Sequence, residues 1–437
     1  MSLRTLLAAA LCAAVGLASA AGAGARPLTL DECVRTALSQ HPDVRAAEAA
    51  LDNARATRAA ALGNYLPQGG FTYTTQRTTA NYVVKPGVTV PSVLPPISGN
   101  LLNFHSGSLS VTQTLYDFGR TGGAYGAAAH SAGAAEGDLA DVRSRTALVA
   151  VQSYFEVLKS RALLALADST LQQQRSHEDQ AKALYQVGRR ARIDAVTAEA
   201  NRANAELAQE QAQNALALAR QTLALAMGID DASDLEPQEA DLPAMPEEND
   251  TTGAPLAQAQ QARPDYLAQA ERVEAQRGRV HAARGELLPN LSAGAGFTWQ
   301  GEDFGSLANN FSVQVGVSVP IFNMFINGEK TSAASAELAR QEAVLAELKQ
   351  QVRLDLTRAQ LNVREGVRRV DVTAVAERAA TEQLRLAEAR YQTGAGSILE
   401  LGDAQVAATN AQANAISARY DLSVARATLA QALGREP

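Results

Sequence analysis

Two stretches of this chain read as helix for much longer than a compact domain can hold. One runs from about Ala132 to Leu184 and resumes from Asp194 to Met227. The other runs from about Thr331 to Arg390 and resumes from Leu399 to Leu433. Both are rich in Ala, Leu, Glu, Gln and Arg, which are strong helix formers, and almost free of Pro and interior Gly. At ~1.5 Å per residue, each first arm comes to on the order of 80–90 Å. A helix that long needs lateral neighbours, as in a coiled coil. Apolar residues recur at helical spacing, with Val151, Phe155 and Leu158 in one stretch and Leu384, Ala387 and Tyr391 in the other, and the abundant Ala lets helices approach closely.

Each stretch is interrupted once, at "YQVGRRARID" (Tyr185 to Asp194) and at "YQTGAGSILE" (Tyr391 to Glu400). Gly188 and Gly394 suit the left-handed conformation that ends a helix. Arg189, Arg190 and Arg192 lie where a helix C-terminus attracts cations, which accounts for them without any partner. Asp194, at the start of the returning helix, reads as its cap.

Between the helices the period changes. Residues 311–319 alternate without exception, apolar at odd positions and polar or Gly at even ones, and 290–300 do the same. Residues 109–116 and 71–76 alternate less completely. Such segments, with Phe297 and Trp299 at one end, fit transmembrane β-strands with one face to lipid and one to water. Soluble sandwich strands alternate too, but too few further strands exist here to build a sandwich. The first pair is joined by a long Pro-rich loop from Arg77 to Ser108, and the second by Gly301 to Asn310. Four strands cannot close a barrel with a lumen, and lipid-exposed edges are not tolerated. Several copies of the chain must therefore share one barrel.

The N-terminus agrees with export. Arg4, an apolar run from Leu6 to Leu17, and "ASA" at Ala18 to Ala20 form a signal peptide with a small-residue cleavage site. Cys12 follows Leu11 where lipid attachment wants Gly, Ala or Ser, so lipidation is not expected. Cleavage leaves Cys33 as the one thiol, with no internal disulfide, and its place on an apolar helix side reads as a buried small hydrophobe. The formal net charge of −7 argues against a nucleic-acid partner.

The chain is also an internal duplication. His41-Pro42-Asp43 recurs as Arg263-Pro264-Asp265, and Leu66-Pro67 as Leu288-Pro289, at one common offset. After the strand pairs a second offset holds: Leu115-Tyr116-Asp117 recurs as Ile321-Phe322-Asn323, Gly188 as Gly394, Asp194 as Glu400, and Gly228 as Gly434. This divides the chain into a signal peptide at 1–20, a first repeat at 21–228, an acidic connector at 229–262 and a second repeat at 263–434. The repeats carry β-hairpins at about 68–118 and 290–322, and helical hairpins with tips near 188 and 394.

With these residues the pattern resembles the TolC family of outer-membrane efflux proteins. It is carried by "LTLDECVRTALSQHPDVRAAEA", "LSVTQTLYDFGRT", "YQVGRRARID" and "YQTGAGSILELGDAQ", and covers essentially the whole mature chain. The resemblance implies a mainly α fold with a small β part. Long coiled-coil hairpins form a periplasmic α-barrel, and four transmembrane strands per chain close a twelve-stranded outer-membrane barrel as a homotrimer. It implies an exit duct for a tripartite efflux pump or a type I secretion system. The partners would be a periplasmic adaptor, an inner-membrane transporter of RND or ABC type, and outer-membrane lipid. The hairpin tips, Val187, Gly188, Arg189, Thr393, Gly394 and Ala395, would meet the adaptor. Tyr391 and Asp194, with Arg190 and Arg192, would hold the entrance shut. Glu400 and Asp403, at i and i+3 on one helix face, would face the pore as an anionic ring. One departure stands out: the family's Arg two residues after the second Gly is Gly396 here. That suggests either a rewired closure, with Arg190 or Arg192 reaching Glu400, or a looser gate.

Catalysis finds no support. The histidines His41, His105, His130, His177 and His281 are far apart in sequence, "HEDQA" at His177 is not a zinc-binding HExxH, and Gly294 and Gly296 fall inside a strand rather than a phosphate loop. No cofactor is expected. Two rival readings remain: a periplasmic coiled-coil adaptor and a fibrous scaffold without a pore. The duplication and the strand pairs fit neither.

Overall fold

The computed structural model describes residues 27–79, 101–231, 235–250, 253–301 and 303–436. The signal peptide at 1–20, Cys12, and the middle of the Pro-rich loop lie outside the described residues.

The helices are α1 (Leu30–Gln40), α2 (Pro42–Gly63), α3 (Arg120–Gln186), α4 (Arg192–Met227), α5 (Ala254–Ala262), α6 (Pro264–Gly285), α7 (Met324–Thr393) and α8 (Ile398–Ala432). The strands are β1 (Pro27–Leu28), β2 (Gln68–Thr79), β3 (Leu101–Tyr116), β4 (Glu236–Pro237), β5 (Asn290–Gly301) and β6 (Ala308–Ser318). Spatially the chain forms two compact units that cut across the sequence repeats. One is drawn from Met1–Glu48, Asp138–Leu267 and Leu348–Pro437, the other from Ala49–Gly137 and Ala268–Glu347. Among the described residues no helix is long and apolar enough to cross a membrane.

The second unit holds an open antiparallel sheet in the order β2-β3-β5-β6. Its register aligns Phe71, Leu109, Phe297 and Phe311 in one row across all four strands. The adjacent row, Gly70, Ser110, Gly296 and Ser312, belongs to the opposite face, because successive side chains alternate. One face is thus apolar and the other small and polar. Val313, Val315 and Val317 continue the apolar face and are exposed. Phe297 packs edge-on against Trp299, which also meets Phe71.

The strands are longer than alternation alone indicated. The expected loop from Arg77 to Ser108 is strand through Thr79 and again from Leu101, because β2 and β3 pair in unbroken register from Gln68↔Thr112 to Thr79↔Leu101. The ladder supplies the backbone bonds that a weak side-chain pattern does not advertise. The expected connection from Gly301 to Asn310 shrinks likewise to a short 3₁₀ turn at Phe304–Ser306. The segment expected as an acidic connector contains β4 and helix α5. Helix α5 stands before Arg263-Pro264 as α1 stands before His41-Pro42.

The first unit is held by the interlocking of α1, α3, α4 and α8. Cys33, Val151, Tyr154, Phe155, Leu158, Leu223, Met227 and Tyr420 form one core cluster. Full burial of each large apolar side chain is worth about 1.5–3 kcal/mol. The Tyr154 hydroxyl lies 2.9 Å from the Leu28 carbonyl and 2.7 Å from that of Gln238, beside the parallel pairing of β1 and β4. Burial pushes the Cys33 thiol up to about 12, which leaves it an inert apolar filler. A second cluster, Leu384, Ala387, Tyr391, Leu401, Ala404 and Ala408, zips α7 to α8 below their turn.

Candidate functional site

The two helical turns close by the same pair of backbone bonds. After α3, Gly188 N–H donates to the Tyr185 carbonyl at 2.9 Å and Arg189 N–H to that of Leu184 at 2.9 Å. After α7, Gly394 N–H donates to Tyr391 at 3.1 Å and Ala395 N–H to Arg390 at 2.9 Å. This is the Schellman closure, and it requires a left-handed residue at its centre. Gly188 has φ +71° and Gly394 φ +84°. Val187, Gly188, Arg189, Thr393, Gly394 and Ala395 are all exposed.

The returning helices begin differently. Ser397 caps α8, its hydroxyl accepting from the Glu400 N–H at 3.1 Å. Helix α4 has Ala191 at the capping position and no side-chain cap. Asp194, expected as the cap, lies inside the first turn, where its own N–H bonds to Ala191. A side chain already within the helix cannot take the capping position. The Asp194 carboxylate is buried instead, 3.9 Å from Arg190, while still favourably placed against the helix N-terminus.

Arg190 joins the two turns. Its Nη2 donates to the Tyr391 carbonyl at 3.0 Å and to the Gly396 carbonyl at 3.1 Å. Its guanidinium lies over the Tyr391 ring, 4.6 Å from the centroid. The arginine thus neutralises the C-terminal end of α7, a helix in the other hairpin, rather than that of its own helix. A guanidinium offers a fork of donors that suits two carbonyls and an aromatic face together. Tyr391 is almost fully buried and its hydroxyl has no partner. Burial, with Asp194 close by and Arg190 opposing, raises its ionisation above the ordinary tyrosine value.

Gly396 lies in the second turn, and its carbonyl is one of the two acceptors of Arg190. The Gly396 N–H closes on the Arg390 carbonyl at 2.9 Å, and a Cβ there would stand 3.1 Å from the Arg390 Cβ. The cation at this junction comes from the first hairpin, and the second hairpin supplies carbonyls. The expected ion pair from Arg190 or Arg192 to Glu400 is not formed. Glu400 meets Arg390 of its own hairpin at 3.1 Å, while Arg190 has Nη2 on backbone carbonyls and Nη1 toward Asp194. Arg192, at the start of α4, is exposed. Glu400 and Asp403 are both exposed.

Sequence reasoning missed Arg390 as the partner of Glu400, and the contacts between hairpins above the turns. There, Gln405 donates to Gln173 at 3.4 Å, and His177 approaches Glu388 at 3.6 Å. Glu178 on α3 is paired with Lys182 at 2.6 Å and with Arg202 of α4 at 2.8 Å, tying the two arms of the first hairpin. The five histidines stand apart, each beside a different group: His41 near Asp43, His105 on Tyr73, His130 on Glu271, His177 near Glu388, and His281 on the Gly119 carbonyl. The contacts between the two turns are non-covalent: charge-assisted bonds to backbone carbonyls, a ring contact and an ion pair.

The family described as "Outer membrane efflux protein" matches residues 33–229 and 256–435. Protein CyaE of Bordetella pertussis is 25% identical over 259 residues, 58% of this chain and 55% of that protein, so the chain spans about half the length of the curated relative it matches. The fold is similar to that of the outer-membrane channel OprN, with a TM-score of 0.80 at 22% identity over 93% of this chain and 89% of that one. It is also similar to the outer membrane protein VceC from Vibrio cholerae, with a TM-score of 0.82 at 19% identity over 93% and 96%.

Proposed function

The chain belongs to the outer membrane efflux protein family, and we propose that it is the passive exit duct of a tripartite efflux pump or a type I secretion system. It is an outer-membrane channel protein and not an enzyme. Three copies close one twelve-stranded barrel. The hairpin tips, Val187 to Arg189 and Thr393 to Ala395, dock a periplasmic adaptor that links the duct to an inner-membrane transporter of RND or ABC type. The entrance is held shut by Arg190 on Tyr391 and Gly396, with Asp194 beside it, and Arg192 flanks the contact. Glu400 and Asp403, repeated around a threefold axis, form an anionic ring that favours cations.

The observation that carries the reading is the sheet. Its apolar row runs unbroken across four strands, and its two edges, β2 and β6, have no further strand to pair with among the described residues. In lipid such edges must be satisfied, and pairing β2 of one copy with β6 of the next does so without new structure. Outer-membrane fractionation followed by chemical cross-linking tests this. A trimer in the outer-membrane fraction is expected. A soluble monomer in the periplasm would support a scaffold or an adaptor instead.

A further inference from the structure

His177 lies on α3, in the first hairpin, about three turns before Gly188. It is only 9% exposed, and neither of its ring nitrogens has a hydrogen-bond partner. Buried polar atoms without partners are costly, and a native structure that keeps them calls for a reason. The nearest charge is the Glu388 carboxylate on α7, in the second hairpin, with Oε1 3.6 Å from His177 Nε2. That is too far for a good hydrogen bond to a neutral ring, but close enough for an ion pair once the ring is protonated.

Several ionic groups at this level are engaged elsewhere. On α3, Glu178 is paired with Lys182, which also feels Asp179 and Glu199, and Arg202 of α4 takes the second Glu178 oxygen. On α7, Glu382 pairs with Arg385. From α8 come the uncharged Gln405, on Gln173, and Asp403, which lines the groove shared with Gln174. One turn nearer the tips come Asp194, Arg190 and Tyr391, already bound to one another. Glu388 is the carboxylate within ion-pair distance of the imidazole.

We propose that His177 and Glu388 form a proton-operated tie between the two hairpins, which holds the entrance shut in acid and loosens it toward neutral pH. Histidine is the side chain whose charge changes across this range. Protonation places a cation against Glu388 and gives one orphaned nitrogen a partner. Deprotonation leaves two buried acceptor or donor sites unsatisfied and removes the attraction. Proton uptake therefore favours the docked hairpins, and the tie is lost as pH rises. The proposal rests on the entrance reading above, and its tests separate the two.

The tie is read directly by NMR titration of the five histidines in the purified protein, with the His177 signal assigned by its loss in His177→Gln. Glu388→Gln should move the pH response of the His177 ring signals toward lower pH, because the variant removes the carboxylate that faces the protonated ring. An unmoved response overturns the tie whatever the channel does. The consequence is read in planar bilayers between pH 5 and 8. The open fraction of the wild type should rise about three- to tenfold across that range, and His177→Gln and Glu388→Gln should each flatten the profile. If Arg190→Ala opens the channel while all three profiles coincide, the entrance reading stands and the proton-operated tie is wrong.

Discussion

Arg190 donates to the backbone carbonyl of Tyr391 at 3.0 Å while its guanidinium covers the ring of that same residue. One side chain of the first hairpin thus holds both the polar and the aromatic surface of one residue in the second. Because its acceptors are carbonyls, the contact does not depend on the protonation of Glu400 or Asp403.

Removing that side chain should loosen the entrance. Hydrogen bonds to a charged group are worth about 1.5–3 kcal/mol, so Arg190→Ala should raise the open-to-closed ratio about ten- to a hundredfold. Arg190→Lys should fall between, since an ammonium lacks the planar fork. Single-channel open probability decides this, and equal values for all three proteins would rule out Arg190 as the closing residue.

Valine at Gly188 or Gly394 should abolish export while leaving the assembled trimer intact. Each position needs a positive φ, which costs a branched residue about 1–3 kcal/mol, yet a side chain there would meet nothing within 4 Å. The damage stays at the tip. Gly434→Ala behaves differently, because its Cβ would fall 2.7 Å from the Ala262 carbonyl carbon. That variant should lose thermal stability. Export assays paired with melting curves separate the two classes.

Neutralising Glu400 and Asp403 together should shift ion selectivity toward anions with little change in stability. The Arg390–Glu400 pair is exposed on both sides, and such pairs contribute at most about 1 kcal/mol. Reversal potentials across a salt gradient measure the shift; identical potentials would remove the ring from the account.

The junction at Arg263-Pro264 should show acid sensitivity. Asp265 is partly buried, and this desolvation alone would raise its pKa, but the Arg263 hydrogen bonds and charge hold its carboxyl below the ordinary value. Arg263 also reaches Asp355 at 3.3 Å. A carboxyl with a depressed pKa stabilises the fold above its unfolded value of about 3.9 and loses that contribution as pH falls through the folded one. Asp265→Asn should therefore melt lower than wild type at pH 7, and the gap should narrow below about pH 4. A gap independent of pH would point to packing rather than charge.

Much of this was legible in the sequence. The tips were visible because a lone Gly in a long helix-forming run has few other uses. The alternation of Phe311 to Val319 gave the apolar face outright, since side-chain period is a local property. What was hidden involves backbone or distance. Arg190 binds carbonyls, which carry no residue signature, so the carboxylate at Glu400 looked the better partner. Asp194 read as a cap because a three-residue shift in helix start, to Ala191 as the capping position, is invisible to composition. The ends of β2 and β3 are set by cross-strand register between His105 and Thr75, not by their own pattern. His177 was dismissed for lacking a motif, yet its partner Glu388 lies on another hairpin.

The central claim is that the assembled protein is a conduit with a closable entrance. Purified protein reconstituted in planar bilayers tests it most directly. The account predicts discrete, cation-selective channels of small unitary conductance whose open fraction rises when Arg190 is replaced by Ala. A stable membrane-inserted trimer that passes no ions, with or without Arg190, would contradict it.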